Sequence, residues 1–155
     1  MYSIDISSTI QAPIHQVFST ISNHEQFFRG STFEYSRIIR EGQFHRNGVG
    51  AIREISRDGI VCCEEITLYE EPRRFDYVIT RATGKNGKSI PIKHEFGRME
   101  FEERQGKTYI RWQSKFSIPT PIVGRILEFI IGRSTTKVFK NLLAQAENDI
   151  SKIST

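Results

Sequence analysis

The sequence predicts an α+β fold, a mostly antiparallel sheet of seven strands closed over by one long C-terminal helix. Three observations carry this expectation. In KTYIRWQSKF, Lys107 to Phe116, the residues Ile110, Trp112, Ser114 and Phe116 share one parity and Tyr109, Arg111, Gln113 and Lys115 the other. That two-residue period belongs to a strand with one dry face. Beyond Pro121 the apolar spacing lengthens to three and four, the period of a helix. Between Thr32 and Phe116 turn signals recur often enough to cut the chain into successive strands.

From the N-terminus, Tyr2 to Ile10 alternates and reads as the first strand. Pro13 then opens a helix carrying Ile14, Val17, Phe18 and Ile21 at helical spacing, since proline is tolerated in a first turn. Asn23 can cap a second short helix through Glu25, Phe27 and Phe28, ended by Gly30. Six strands follow, Phe33 to Glu41, Gly50 to Ser56, Ile60 to Glu70, Arg74 to Ala82, Ile92 to Glu103 and Lys107 to Ser117. Asp58-Gly59 and Gln105-Gly106 suit tight hairpins. The last helix, with Thr120 as its cap, runs toward Ile153 and presents Phe129, Gly132, Thr136, Phe139, Leu143, Ala146, Ile150 and Ile153 as one stripe. The stripe is small in its middle, and Gly132 either breaks the helix or leaves space there.

A chain of 155 residues forms one domain, 1–155, with a core of its own. The first thirty residues lack a basic start followed by an apolar stretch, and Ile122 to Ile131 is about half of a bilayer span, so a soluble cytoplasmic protein is expected. The net charge of +4 could suit an anionic partner, but acidic and basic residues alternate, as in Arg53-Glu54 and Glu102-Glu103-Arg104. This reads as a mixed solvated surface, and no nucleic-acid partner is expected. Cys62 and Cys63 are adjacent in a strand and point to opposite faces, which argues against a disulfide between them. Ligand spacings for zinc are missing, so His45 and His94 read as ordinary histidines and no metal or cofactor is expected. ATGKNGKS, Ala82 to Ser89, resembles a phosphate loop, but Pro91 and a strand follow it where a helix would have to begin. NGVGAIR lacks the third glycine of a dinucleotide fingerprint and is likewise a turn.

The order of elements, together with TIQAPIHQVFSTISN, EEITLYEEPRRFDYVI (with Glu64, Pro72, Arg73 and Tyr77), GKTYIRWQSKF and the terminal helix, resembles the START / birch-pollen-allergen (Bet v 1-like, SRPBCC) superfamily. Within it the chain is similar to the polyketide cyclase/dehydrase and lipid-transport branch. The resemblance spans nearly the whole chain and rests on structural patterns, none of them a catalytic signature. It implies a helix-grip fold, in which a curved sheet grips the C-terminal helix around a cavity for a hydrophobic molecule. Members bind lipids, polyketides, sterols or plant hormones, and some catalyse cyclisation or dehydration, so fold leaves function open.

Strand parity names the candidate lining. Ile110, Trp112 and Ser114 face inward on the last strand; Glu64 and Ile66, Tyr77 and Ile79, and His94 and Phe96 do so on its neighbours; Phe129, Thr136 and Phe139 close the space from the helix. An inward Glu64 would need Tyr77, His94 or an arginine beside it, because an unpaired buried carboxylate is costly. Glu65 remains the alternative, since a bulge, for which Gly97 is one place, flips parity. Trp112 reads equally as cavity wall or as plain core.

The leading expectation is a carrier of a small hydrophobic ligand. The enzymatic alternative is a cyclase or dehydratase in which Glu64 or His94 takes a proton and Tyr77 supports an enolate oxygen. A third is a protein-interaction or chaperone-cofactor module. IVGRILEFII, Ile122 to Ile131, reads as the first half of the covering helix, as a lid, or as a patch in transient contact with a membrane. The chain is expected as a monomer or homodimer.

Overall fold

The computed structural model describes residues 1–153. Strand β1 (Tyr2–Ile10) leads into helices α1 (Ile14–Ser22) and α2 (His24–Phe27). Six strands follow: β2 (Tyr35–Arg40), β3 (Ile52–Arg57), β4 (Ile60–Glu70), β5 (Arg74–Thr83), β6 (Lys93–Arg104) and β7 (Lys107–Ser117). Helix α3 (Val123–Ile153) closes the described chain. All seven strands form one antiparallel sheet in the order β1-β7-β6-β5-β4-β3-β2, so the first strand pairs with the last.

The turn chemistry explains the meander. Asp58 and Gly59 have φ of 53° and 74°, and Gln105 and Gly106 have 53° and 76°. Two successive positive φ values match the right-handed twist of the strands they join. Asn23 caps α2 as its sequence suggests, its side chain accepting from the Gln26 N–H at 3.4 Å.

Helix α3 is continuous through Gly132, so the glycine does not break it. A Cβ built on Gly132 would fall within the ring of Tyr2, which is why nothing larger stands there. The phase of the first half differs from the expected stripe. Gly124, Glu128 and Gly132 face inward, four residues apart, while Phe129 is 56% exposed. Glu128 fixes this phase by accepting from the Ile118 N–H at 2.8 Å and from the Met1 ammonium. The second half follows the expected stripe through Leu143, Ala146 and Ile150, with Val138 and Leu142 added to it. Ile153 is exposed.

The core lies between the concave sheet face and the helices, built from Ile6, Phe18, Ile21, Phe75, Met99, Phe101, Ile110, Trp112 and Leu142 among others. None of the helices in the described residues is long and apolar enough to cross a membrane.

Candidate ligand-binding site

The inward face of β7 holds Ile110, Trp112, Ser114 and Phe116, each at most 5% exposed. Trp112 does not look into solvent. Its ring lies parallel to that of Phe139 on α3, centroids 3.7 Å apart and planes 8° apart, so this pair ties sheet to helix. Its indole N–H donates to the Tyr77 hydroxyl at 2.9 Å, the partner that a buried indole requires.

Tyr77 stands opposite Gly97 in the β5–β6 ladder, and a Cβ on Gly97 would lie within the tyrosine ring. The glycine therefore makes the space that Tyr77 occupies. Burial and the nearby Glu64 push the Tyr77 hydroxyl well above the ordinary phenol range, so it stays protonated.

The β5–β6 ladder ends at Tyr77↔Gly97. Beyond it the His94 imidazole takes the place of a strand partner, its Nδ1 accepting from the Ile79 N–H at 3.0 Å. Because Nδ1 accepts, the proton of the neutral ring sits on Nε2, which reaches the Ser114 hydroxyl at 2.9 Å. Burial holds His94 down to about 4, and the neutral form is the one that fits these bonds.

Next to this lattice lies a charged one. Glu64 faces inward, as does its cross-strand partner Arg53 on β3, and Arg53 Nη2 donates to Glu64 Oε2 at 3.0 Å. Arg53 is fully buried and Glu64 6% exposed. Burial raises the Glu64 carboxyl above its ordinary range, with Arg53 pulling against it. Arg53 also sits over the faces of Phe75 and Tyr77, 5.7 Å from each centroid.

His24 approaches Glu64 Oε2 with Nδ1 at 3.7 Å, packed against Phe27, Phe28 and Phe75. Burial and Arg53 hold it well below the ordinary histidine range, so it is neutral. Both ring nitrogens of His24, and Nε and Nη1 of Arg53, have no hydrogen-bond partner among the described residues. Most buried polar groups are satisfied, so four such atoms in one cluster single this corner out as the candidate polar end of a site.

Most of the expected lining thus converges: Glu64, Ile66, Tyr77, His94, Ile110, Trp112, Ser114 and Phe139 face the interior, with Ile79 at its edge. Two residues do not. A bulge between His94 and Phe96 reverses parity, so Phe96 pairs with Lys115 on the outer face and lies under Arg98. The expected bulge is real but falls at Glu95, two residues before Gly97. Phe129 lies outward because Glu128 is held inward. Thr136 spends its hydroxyl on the Gly132 carbonyl at 2.7 Å.

Sequence reasoning missed Arg53 and His24. Arg53 shares parity with Ala51 and Ile55, which would have placed it inside, and His24, Phe27 and Phe28 share a face at i, i+3 and i+4.

Clefts among the described residues open to solvent elsewhere on the surface. One of about 230 Å³ lies between Gly30–Thr32 and α3, touching Val138 and Leu142 from outside the core. One of about 450 Å³ lies at the far end of the sheet among Arg73, Arg74, Arg104, Arg111 and Glu100.

The family described as polyketide cyclase / dehydrase and lipid transport matches residues 1–148. Among solved structures, a START superfamily protein from Mycobacterium smegmatis superposes with TM-score 0.71 at 11% identity, covering 99% of both chains. The protein XoxI from Bacillus cereus gives TM-score 0.72 at 14% identity, covering 100% of this chain and 99% of that one. Ara h 8.0201 gives 0.66 at 13%, covering 94% and 97%. These likenesses show the fold. None of the curated proteins compared matches the sequence.

Proposed function

Because the chain belongs to the polyketide cyclase / dehydrase and lipid transport family, we propose that it binds a small hydrophobic molecule between the sheet and α3. The observation that supports this most directly is the cluster of unpartnered polar atoms on Arg53 and His24, enclosed by Phe27, Phe28, Phe75 and Tyr77. An apolar enclosure with a few convergent donors is how ligand sites orient a greasy guest. Arg53 would supply N–H groups to one acceptor on the ligand, while Trp112, Ile66 and Ile110 contact its apolar body. Phe139, half-buried and stacked on Trp112, is the side chain such a guest would have to displace.

Binding is favoured over acid/base catalysis by the state of the three candidate groups. Glu64 is tied to Arg53, both nitrogens of His94 are engaged, and the Tyr77 oxygen already accepts from Trp112. These three groups are committed to a hydrogen-bonded wall, with the proton-accepting atom of each candidate already engaged.

Native mass spectrometry of freshly purified protein, followed by extraction, identifies any guest that is retained. Titration of long-chain ketones, alcohols, esters and acids into delipidated protein can then be read from Trp112, the single tryptophan of the chain. A saturable response at one equivalent, weakened in Arg53→Met/Glu64→Met, is expected. A protein that retains nothing and gives no saturable response to any of these compounds ends the reading.

A further inference from the structure

The first half of α3 inverts the usual rule for a surface helix. Its inward positions are Gly124, Glu128 and Gly132, whereas Ile122, Val123, Ile126, Phe129 and Ile130 are each more than half exposed. At 100° per residue, Ile126 and Ile130 lie roughly opposite Glu128. The apolar stripe therefore faces away from the protein. Ile122, 82% exposed, also holds φ at +62°, a conformation a β-branched side chain rarely adopts. Its side chain is thus projected outward at the expense of local strain.

The topology gathers other groups at the same end of the molecule. The ladders place the start of β1, the end of β7, the start of β6, the end of β5 and the β3–β4 turn side by side. Arg57 beside that turn reaches Ser134 on α3 at 3.3 Å, and the side chain of Lys85 packs against Gly59. Exposed Lys85, Lys88 and Lys93 therefore share this end with Arg125 and Arg133 of the helix.

We propose that this end of the protein docks on an anionic phospholipid bilayer, with α3 lying in the interface and the stripe around Ile126 and Ile130 entering the acyl boundary. An exposed apolar helix face bordered by cations has the chemistry of an interfacial membrane contact. The stripe is too short to span. A second copy of the chain is the poorer occupant, because two-fold pairing of this face would set its cations against one another. The contact rests on different observations from the ligand reading, and either can fail while the other stands.

The test is flotation of delipidated protein with vesicles of phosphatidylcholine, with and without phosphatidylglycerol, at equal total lipid. Wild type is expected to partition onto the phosphatidylglycerol vesicles, and less so at high salt. Ile126→Ser/Ile130→Ser should weaken partitioning by roughly a hundredfold, about tenfold for each side chain withdrawn from lipid. Arg125→Glu/Arg133→Glu should abolish the preference for anionic lipid. All four positions are exposed, so circular-dichroism melts should match wild type. Arg53→Met/Glu64→Met should dock as wild type does. Docking is overturned if wild type ignores both vesicles, if the isoleucine variant partitions equally, or if sedimentation shows a wild-type dimer that the isoleucine variant dissolves without any vesicle binding.

Discussion

Replacing Gly97 by alanine probes the centre of the site with one methyl group. The new Cβ would lie within the ring of Tyr77, which is 2% exposed and hydrogen-bonded to Trp112. Backbone on β6 is held by its ladder to β7, through Gly97↔Ser114, so the ring must yield. Forcing a methyl into a packed core costs about 1–3 kcal/mol, and a Trp112 N–H left without its acceptor costs about 1–3 kcal/mol more. Alanine recovers about 0.5–1 kcal/mol over glycine inside a strand. The net expectation is a loss of about 2–4 kcal/mol, read from urea denaturation followed by far-ultraviolet circular dichroism. The same substitution made in a Tyr77→Leu background removes the clash, and there the penalty should fall below about 1 kcal/mol. Equal penalties in the two backgrounds, or a wild-type penalty under about 0.5 kcal/mol, would show that Gly97 does not exist to house the tyrosine.

Three further outcomes follow from the same geometry. Glu64→Gln strands the buried Arg53 charge and should cost about 3–5 kcal/mol, whereas Arg53→Met/Glu64→Met should cost less than half as much; a double variant no more stable than the single one refutes the pairing argument. For His94, the folded value of about 4 against an ordinary 6.5 means that the unfolded chain binds the extra proton between these limits. Its contribution is therefore complete above pH 6.5 and lost as pH falls to 4, about 2–3 kcal/mol in all after allowance for its partial exposure. Glu64, raised by burial, works in the opposite sense on acidification, so the comparison is with His94→Gln, whose urea midpoint should vary less between pH 7 and pH 4.5. Identical pH profiles would mean that His94 is already solvated. Finally, Ile122→Gly exchanges left-handed strain for glycine's greater chain entropy and should stabilise by about 0.5–1 kcal/mol; a lower melting temperature would show that contacts hold Ile122 in place.

What was legible in the sequence was the order and type of the elements, because alternation in the strands and the two Xaa-Gly hairpins are local signals. The inward set of β7 and the choice of Glu64 over Glu65 also followed from parity. Phe96 was misplaced because a bulge leaves no fixed residue signature, and a one-residue slip turns every later side chain over. Phe129 was misplaced because the phase of α3 is set by a distant contact, Glu128 with Ile118 and Met1, and not by the greasiest stripe. Arg53 was hidden by chemistry: charge suggests solvent, and only the partner across the ladder shows otherwise.

The pairing of β1 with β7 has a consequence for how the chain is made. Tyr2 lies against Phe116 and Ile10 against Thr108, so β1, once synthesised, waits roughly a hundred residues for its neighbour. Until then Ile4, Ile6 and Ile10 have no sheet to join. Such distant closure belongs to slow-folding topologies, and leaves nascent β1 with an apolar face and an unpaired edge until β7 is made.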